Sequence, residues 1–152
     1  MAGKAEKLVP NLWFTTPEGK MSVVLKYYKG IFKTNFIPGK VMPLGTTPSG
    51  NTEMCEVRLF KSKFIFMTTA VEHHAFNDAV SWVLNCVDQR EIDRYWNYFT
   101  KEGLESMCGW CVDKFGVRWQ VVPKNLGELM RRPNAWKVMM GQKKIVISEF
   151  LK

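Results

Sequence analysis

Eight polar or aromatic side chains recur at alternate positions of four predicted strands, in a pattern that suits a small-molecule site. Alternate side chains of a strand point to the same face, and the intervening positions in these segments are apolar. The eight residues therefore share the polar faces of their strands and together can hydrogen-bond a ligand. They are Asn11, Trp13, Glu56, Arg58, Ser81, Asn85, Arg118 and Gln120. The alternative is a sheet whose polar face is solvated or covered by a partner subunit.

Three of these side chains indicate what such a site would bind. The guanidinium of Arg58 or Arg118 is suited to hold an anionic group through charge-assisted hydrogen bonds. The indole of Trp13 offers a flat surface on which a ligand can stack. The sequence therefore predicts a small-molecule partner, with an anionic group as one option.

Cysteine and histidine side chains raise three further hypotheses of lower weight. Cys108 and Cys111 have the spacing of a redox-active dithiol, but that chemistry needs a thiol pKa lowered at a helix amino terminus, and Cys111 falls in a predicted strand. The same pair with His73 and His74 has the ligand types of a zinc site, although two adjacent histidines chelate awkwardly. Either histidine is also a candidate general base, for which the sequence identifies no partner.

The first half of the chain predicts a strand, a helix and then three strands. Residues 9–14 alternate as a strand. Thr16 and the proline after it predict the start of a helix over about 17–33, with the hydroxyl as its cap. The segment 36–50, rich in Pro, Gly and Thr, predicts an irregular strand and loop. A hairpin with its turn at Lys61-Ser62 follows.

The second half of the chain repeats this order. Residues 81–86 alternate as a strand, and Asp88 with Glu91 three residues later forms a capping box that starts a second helix. Gly103 predicts the end of that helix. Residues 109–123 then predict a strand, a turn with Asp and Gly at its ends, and a second strand.

The pattern predicts one α+β domain over 1–152, built from a duplicated β-α-β-β-β unit. The first repeat covers about 7–70 and the second about 76–123, and a length of 152 residues suits a single domain. A carboxy-terminal extension, 124–152, contains a short helix and a strand at Ile145 to Ile147.

The composition indicates a folded protein with a basic surface. A hydrophobic content of 46% and an aromatic content of 13% suit a packed interior. The net charge of +8 suits an anionic ligand, nucleic acid or solubility, but the basic residues are scattered, which disfavours a nucleic-acid partner. The amino terminus lacks the apolar core of a signal peptide, and no apolar run approaches membrane-spanning length. We therefore expect a cytoplasmic protein with no membrane partner and with its cysteines as thiols.

Local motifs along nearly the whole chain carry a family resemblance. They are Tyr27-Tyr28 to Ile31-Phe32, Phe76 to Ser81, Asp88-Gln89 to Trp96, Gly109-Trp110, Asp113 to Gly116, Trp119 to Pro123 and Lys143 to Ile145. With the duplicated element order, they resemble the PhnB-like branch of the vicinal oxygen chelate superfamily, which includes the glyoxalase and bleomycin-resistance proteins. Members of that branch often carry a demethylubiquinone methyltransferase label. The resemblance implies a curved mixed sheet and a homodimer.

The resemblance also locates the metal ligands that enzymes of the superfamily use. These ligands lie on the first, fourth, fifth and eighth strands, where the metal acts as a Lewis acid. Carried over by motif, the positions fall near Asn11, at Met67 to Thr69, and on Ser81 and Gln120. None of these is His, Glu or Asp, and neutral amides and hydroxyls bind zinc or nickel poorly. No cofactor is therefore predicted.

The predicted function is a PhnB-like small-molecule-binding protein with a degenerate metal site and an unidentified ligand. The methyltransferase label finds no support in the residues, because the chain has no G-x-G-x-x-G and no run of βα units. One alternative is a metal-dependent glyoxalase-type lyase, isomerase or dioxygenase, with a metal recruited through Glu56, His73 or His74. The other is a nucleic-acid-binding module, which the charge distribution disfavours.

Overall fold

The computed structural model describes residues 6–72 and 74–152, so His73 lies outside the described residues. These residues form two compact units, of which the first ends at His74 and the second begins at Ala75. Each unit is described by itself, and a single domain over 1–152 stays a prediction. No helix in the described part of the chain combines the length and hydropathy that a bilayer-crossing segment needs.

The described part of the first unit contains one α-helix, two single-turn 3-10 helices (Pro17–Gly19 and Lys33–Asn35) and a four-stranded mixed sheet in the order β1-β4-β3-β2. Strand β1 runs parallel to β4, whereas β3 is antiparallel to both of its neighbours. The elements are β1 (Asn11–Thr15), α1 (Met21–Phe32), β2 (Phe36–Thr47), β3 (Gly50–Leu59) and β4 (Ser62–Thr69). Phe60 and Lys61 both have positive φ, so the predicted hairpin turns one residue earlier than Lys61-Ser62.

The second unit repeats this topology in the order β5-β8-β7-β6, again with its first and last strands parallel. The elements are β5 (Trp82–Cys86), α2 (Gln89–Lys101), β6 (Leu104–Glu105), β7 (Trp110–Val112) and β8 (Arg118–Pro123). The duplicated β-α-β-β-β prediction and the α+β class are therefore confirmed. Two short helices follow, α3 (Leu126–Leu129) and α4 (Ala135–Met140), and a 3-10 turn lies at Ile147–Leu151.

The strand predicted at Ile145 to Ile147 is wrong. The Gln89 side chain donates to the Ile145 carbonyl at 2.9 Å and accepts from the Ile147 amide at 2.9 Å. A side chain of α2 thus takes the backbone groups that a neighbouring strand would otherwise bond. Burial of Ile145, at 0% exposure, holds this segment against the unit.

Each helix packs its apolar stripe on one face of its own sheet. In the first unit the Phe14 ring lies 6.0 Å from the Tyr28 ring and 4.9 Å from the Phe66 ring. In the second unit Phe99 stacks on Trp119 at 4.8 Å with only 8° between the rings. These aromatic layers fix which face of each strand is internal.

Helix α1 begins at Met21 rather than at the predicted Thr16-Pro17. The Thr16 hydroxyl donates to the Lys20 carbonyl instead of capping, and Gly19 has a φ of 68°. A Cβ on Gly19 would lie 2.1 Å from the Asn51 carbonyl oxygen, so the chain needs glycine at this point. Glu53, on β3, then caps the helix from a distance, because its Oε2 accepts from the Met21 amide at 2.6 Å.

Helix α2 begins as the capping box predicts. Oδ1 of Asp88 accepts from the Glu91 amide at 2.8 Å. Oε2 of Glu91 accepts from the Val87 amide at 2.7 Å, one residue earlier than in the ordinary box. The helix ends at Lys101, and a Cβ at Gly103 would lie 1.9 Å from the Val112 carbonyl oxygen. Gly103 therefore allows the chain to pass close to β7.

The turn between β7 and β8 is organised by the buried carboxylate of Asp113, which is 2% exposed. Its Oδ1 accepts from the amides of Phe115 and Val117 at 2.9 and 3.1 Å. Its Oδ2 accepts from the indole nitrogen of Trp119 at 2.9 Å. One side chain thus closes the turn and fixes the orientation of the central aromatic residue of β8.

We predict that Asp113→Asn destabilises the protein by about 2–3 kcal/mol, because the amide places a donor where a buried carboxylate oxygen now accepts. Trp119→Phe removes the indole donor but keeps the ring that stacks on Phe99. In the Trp119→Phe background the Asp113→Asn change should therefore cost less. Urea unfolding of the single and double variants measures this coupling, and additive losses would contradict it.

We predict that Glu53→Ala lowers the free energy of unfolding by about 1–2 kcal/mol, since the amino terminus of α1 loses its cap. Glu53→Gln keeps an acceptor oxygen and should recover most of that loss. The exposed Glu72 is the matched control, and Glu72→Ala should leave stability unchanged. Equal losses for Glu53→Ala and Glu53→Gln in thermal unfolding would show that charge, and not the hydrogen bond, matters.

Candidate functional site

Seven of the eight predicted site residues lie on strand faces turned away from the helices, here called the far faces, and Ser81 lies one residue before β5 in the same alternation. Their sequence neighbours, such as Leu12, Val57 and Val121, are buried in the cores under α1 and α2. Because side chains alternate along a strand, the eight residues point the other way. Asn11, Trp13, Glu56 and Arg58 belong to the first unit, and Ser81, Asn85, Arg118 and Gln120 to the second.

On the far face of the first unit, Asn11 and Glu56 flank Ile65 in one row across β1, β4 and β3. Trp13 lies in the next row, beside Met67. Arg58 is on the other side of Glu56, opposite Lys63. The face thus has one row with the Trp13 indole and the Met67 thioether, and another row, the charged row, with Arg58 and Lys63.

The charged row is already ion-paired. Glu56 binds Lys63 with 2.9 Å between Oε1 and Nζ. Nη1 of Arg58 donates to Glu6 Oε1 at 3.2 Å and to the Lys61 carbonyl at 3.0 Å. Two shallow cavities of about 230 and 370 Å³ adjoin here and share Ile37 and Arg58 in their linings. Asn11 and Trp13 line neither of them.

On the far face of the second unit, Gln120 is the central residue. It lies between Val83 on β5 and Trp110 on β7. Its Nε2 donates to the Ser81 hydroxyl at 2.8 Å, so two predicted site residues are in direct contact. Asn85 is exposed further along β5.

Arg118 is held by three hydrogen bonds within its own unit. Nε donates to Asp78 Oδ1 at 2.8 Å, and Nη1 donates to the carbonyls of Phe76 and Gly116 at 3.0 and 2.6 Å. The guanidinium is therefore preorganised and already paired with a carboxylate. An anion would have to compete with Asp78 for it.

A cavity of about 480 Å³ lies against this arginine. Its lining is Asp78, Leu104, Glu105, Ser106, Met107, Cys108, Trp110, Cys111, Val112 and Arg118. Of the predicted site residues only Arg118 is among them. Trp110 was not among the predicted site residues. Alternation along the strands could have identified it, since Trp110 lies opposite Gln120 across the β7–β8 pair and shares its face. Asp78 and Glu105 had no periodic signal, since one precedes β5 and the other ends a two-residue strand.

The Cys111 thiol lacks the lowered pKa that a redox-active pair with Cys108 would need. Burial, with a contribution from the Asp113 carboxylate, raises the pKa of the Cys111 thiol to about 12. A reactive dithiol needs the opposite shift. Cys108 is partly exposed instead, and its Sγ lies 3.7 Å from Sδ of Met140.

The residues at the superfamily's metal positions do not fit a divalent metal. The amide nitrogen of Gln120 donates a hydrogen bond to the Ser81 hydroxyl, so these two side chains are each other's polar partners. Asn11 is exposed and Met67 offers a soft thioether that suits neither zinc nor nickel here. Within residues 6–72 and 74–152, no three His, Cys, Asp or Glu side chains come together as a metal site. Glu56 is paired with Lys63, His74 is exposed, and His73 lies outside the described residues.

Solved structures share this fold. The PhnB protein of Bacillus cereus matches with a TM-score of 0.63 and 23% identity, over 77% of this chain and 99% of that one. Protein PA1353 of Pseudomonas aeruginosa matches with a TM-score of 0.57 and 20% identity, over 78% and 97%. Glyoxalase I of Leishmania major has a TM-score of 0.51 and 8% identity, over 81% and 91%. At these identities the likeness shows the fold, and it confirms the predicted fold class.

Sequence comparison identifies the family. No curated protein matches the chain. The model of a family described as 3-demethylubiquinone-9 3-methyltransferase matches residues 6–122, well over half of the sequence. The chain therefore belongs to this family, and it shares the fold of the PhnB protein and of glyoxalase I that its motifs predicted.

Proposed function

We propose that this protein binds a small organic molecule in the cavity on the far face of its second unit, without a catalytic metal. The observation that carries the proposal is the cavity of about 480 Å³ itself. Small-molecule sites are typically concave spaces of roughly 300–1,000 Å³ with mostly apolar walls and a few fixed polar groups. This cavity has that size and that mixture.

The apolar wall of the cavity comes from two adjacent strands and the segment between them. Trp110 and Val112 lie on β7, and Leu104 and Met107 precede it. Leu104 is 67% exposed and Met107 is 42% exposed, so covering them with a ligand removes apolar surface from water. An organic body of aromatic or aliphatic character fits this wall.

The polar groups of the site are fixed before a ligand arrives. The bonds from Arg118 to Asp78, Phe76 and Gly116 hold its guanidinium in one orientation. Gln120, beside Trp110 on the same face, is held by Ser81. Preorganised polar groups lower the entropy cost of binding. We propose that Arg118 orients the ligand inside the cavity, and that Ser81, Asn85 and Gln120 border the cavity on the same far face without lining it.

An anionic group on a ligand finds better partners in the first unit. Its two adjoining cavities are lined by three basic residues, Arg58, Lys61 and Lys63. The acidic residue in their linings is Glu56. We propose that Glu56 and Arg58 belong to this second binding surface, with Arg58 as the anion-binding residue, and that Asn11 and Trp13 extend it along the same far face outside the two cavities. The Arg58 side chain is 51% exposed, so the contribution of each ion pair is about 1 kcal/mol or less.

We predict that Trp110→Leu weakens binding of any ligand of the second cavity by about tenfold or more, because aromatic contact area is lost. The measurement is a fragment screen by saturation-transfer NMR, followed by titration of the hits. Trp136, which is 70% exposed on α4 and does not line the cavity, supplies the matched control. Hits that bind Trp136→Leu normally and Trp110→Leu weakly support the site. Hits that are indifferent to Trp110 would refute it.

The competing proposal is a metal-dependent enzyme of the glyoxalase type, a lyase, isomerase or dioxygenase. Its support is the shared fold with glyoxalase I, which at 8% identity carries no residue roles. The family's description suggests methyl transfer. The sequence, however, has no glycine-rich strand-to-helix turn of the kind that binds a methyl-donor cofactor.

We predict that nickel, zinc and iron give no stoichiometric binding heat when titrated into metal-stripped protein, because neutral amide and hydroxyl groups stand at the superfamily's ligand positions. Elemental analysis of the protein as purified provides the second readout. One equivalent of tightly bound metal would favour the enzyme instead. Substitution of Glu56, His73 and His74 would then locate its ligands.

Two expectations about the protein's state accompany this proposal. We propose a homodimer, which the family resemblance supports, and a cytoplasmic location, which suits the free thiols of Cys55, Cys86, Cys108 and Cys111. Light scattering coupled to size-exclusion chromatography tests the first, and fluorescence microscopy of a tagged chain tests the second.

A further inference from the structure

We propose that the cavity of the second unit selects a cationic organic ligand, such as an ammonium with an aromatic or aliphatic body, over an anionic one. This inference rests on the binding function proposed for the same cavity. It runs against the net charge of the chain, which is +8 and by itself favours anions. The local arrangement of charges in the lining decides the preference.

The one cation in the cavity lining is already neutralised. Nε of Arg118 lies 2.8 Å from Asp78 Oδ1, and Nη1 donates to two backbone carbonyls. The Arg118 side chain is 21% exposed, so most of its surface is covered by its own unit. Nη2 of Arg118 donates no hydrogen bond among the described residues, and a carboxylate or phosphate that bound there would meet the negative charge of Asp78.

Two carboxylates of the lining remain accessible to a ligand. The Asp78 side chain is 78% exposed, and among the described residues its Oδ2 accepts no hydrogen bond. Glu105 is 48% exposed and meets Lys143 at 3.3 Å through Oε2, while Oε1 accepts no hydrogen bond from the described part of the chain. Lys143 itself does not line the cavity. The lining therefore holds two carboxylates against one guanidinium, and Asp78 Oδ2 and Glu105 Oε1 remain open to a ligand.

Trp110 adds an indole side chain to the same lining. The face of an indole carries negative electrostatic potential and attracts a cation within about 6 Å of its centre. Val112, Leu104 and Met107 supply apolar contact for the rest of the ligand. A carboxylate rim, an indole face and an apolar wall together match an organic ammonium.

The basic residues elsewhere in the unit do not reverse this preference. Lys114, the nearest lysine in sequence to Arg118, pairs with Glu102 at 3.0 Å and is not part of the lining. The remaining positive field of the chain acts from a distance. At physiological ionic strength such a field is screened over about 8–10 Å.

The test uses four probes that share a phenyl ring and differ in charge. They are benzylammonium, benzyltrimethylammonium, benzyl alcohol and benzoate, each titrated into the ¹⁵N-labelled full chain and followed by amide and indole chemical shifts. We expect the two cations to bind roughly two- to fivefold more tightly than the alcohol. We expect them to bind about tenfold more tightly than benzoate, which the two carboxylates repel. High salt should reduce these differences in affinity, because it screens the charges.

Two variants assign the preference to the lining. Asp78→Asn removes one carboxylate and leaves Arg118 without its charge partner, so benzoate should gain affinity while the cations lose it. Glu105→Gln should reduce the cation preference without favouring benzoate. Glu128→Gln is the matched control, because Glu128 is an exposed acid on α3 outside the cavity. Asp78 and Glu105 are both exposed, so we expect the variants to remain folded, which the dispersion of the amide spectrum verifies.

The outcomes separate this inference from the function on which it rests. Cation-selective shifts at Trp110 that respond to Asp78→Asn and not to Glu128→Gln support the proposal. Shifts at Trp110 that are strongest with benzoate, or equal for all probes, overturn the charge preference and keep the binding site. The absence of shifts at Trp110 with every probe overturns both.

Discussion

The Asp113 carboxylate is the contact on which the second unit most depends. It is buried, and its two oxygens accept from the amides of the turn and from the indole of Trp119. A buried charge is costly unless hydrogen bonds replace its hydration, and here three donors do so. By fixing Trp119 against Phe99, the same carboxylate sets the register of β8, and therefore which of its residues face away from α2. The far-face positions of Arg118 and Gln120 follow from this constraint.

The duplicated units present different chemistry on faces of the same topology. In the first unit Arg58, with neighbouring lysines, lines shallow cavities in which positive charge prevails. In the second, Arg118 is engaged by Asp78, and the cavity beside it has more carboxylates than free cations. The residue type is the same in both units, but its partners differ. Both arginines meet a carboxylate, Glu6 in one unit and Asp78 in the other, so the charges of the remaining lining residues, and not the arginine itself, distinguish the two cavities.

The sheet retains a polar face even though the residues at the superfamily's metal positions are not metal ligands. A four-stranded sheet covered by a helix on one face leaves the other face for polar side chains. At two positions that the family resemblance assigns to metal ligands, this chain has Ser81 and Gln120, which hydrogen-bond to each other. Such a face is suited to recognise a molecule through hydrogen bonds and apolar contact. Function therefore has to be argued from this site and not from the fold that it shares with glyoxalase I.

The sequence by itself determined the elements whose signals come from residues close together in the chain. The Asp88–Glu91 capping box, the turn at Asp113 and the alternation of β8 all involve residues a few positions apart, so the sequence predicted them correctly. The family motifs likewise predicted the fold. Tertiary structure decided the start of α1, because its cap comes from Glu53 on β3. It also decided the candidate cavity, since Asp78 meets Arg118 across 40 residues of chain. Backbone periodicity shows which way a side chain points, but only the folded chain shows which distant charge it meets.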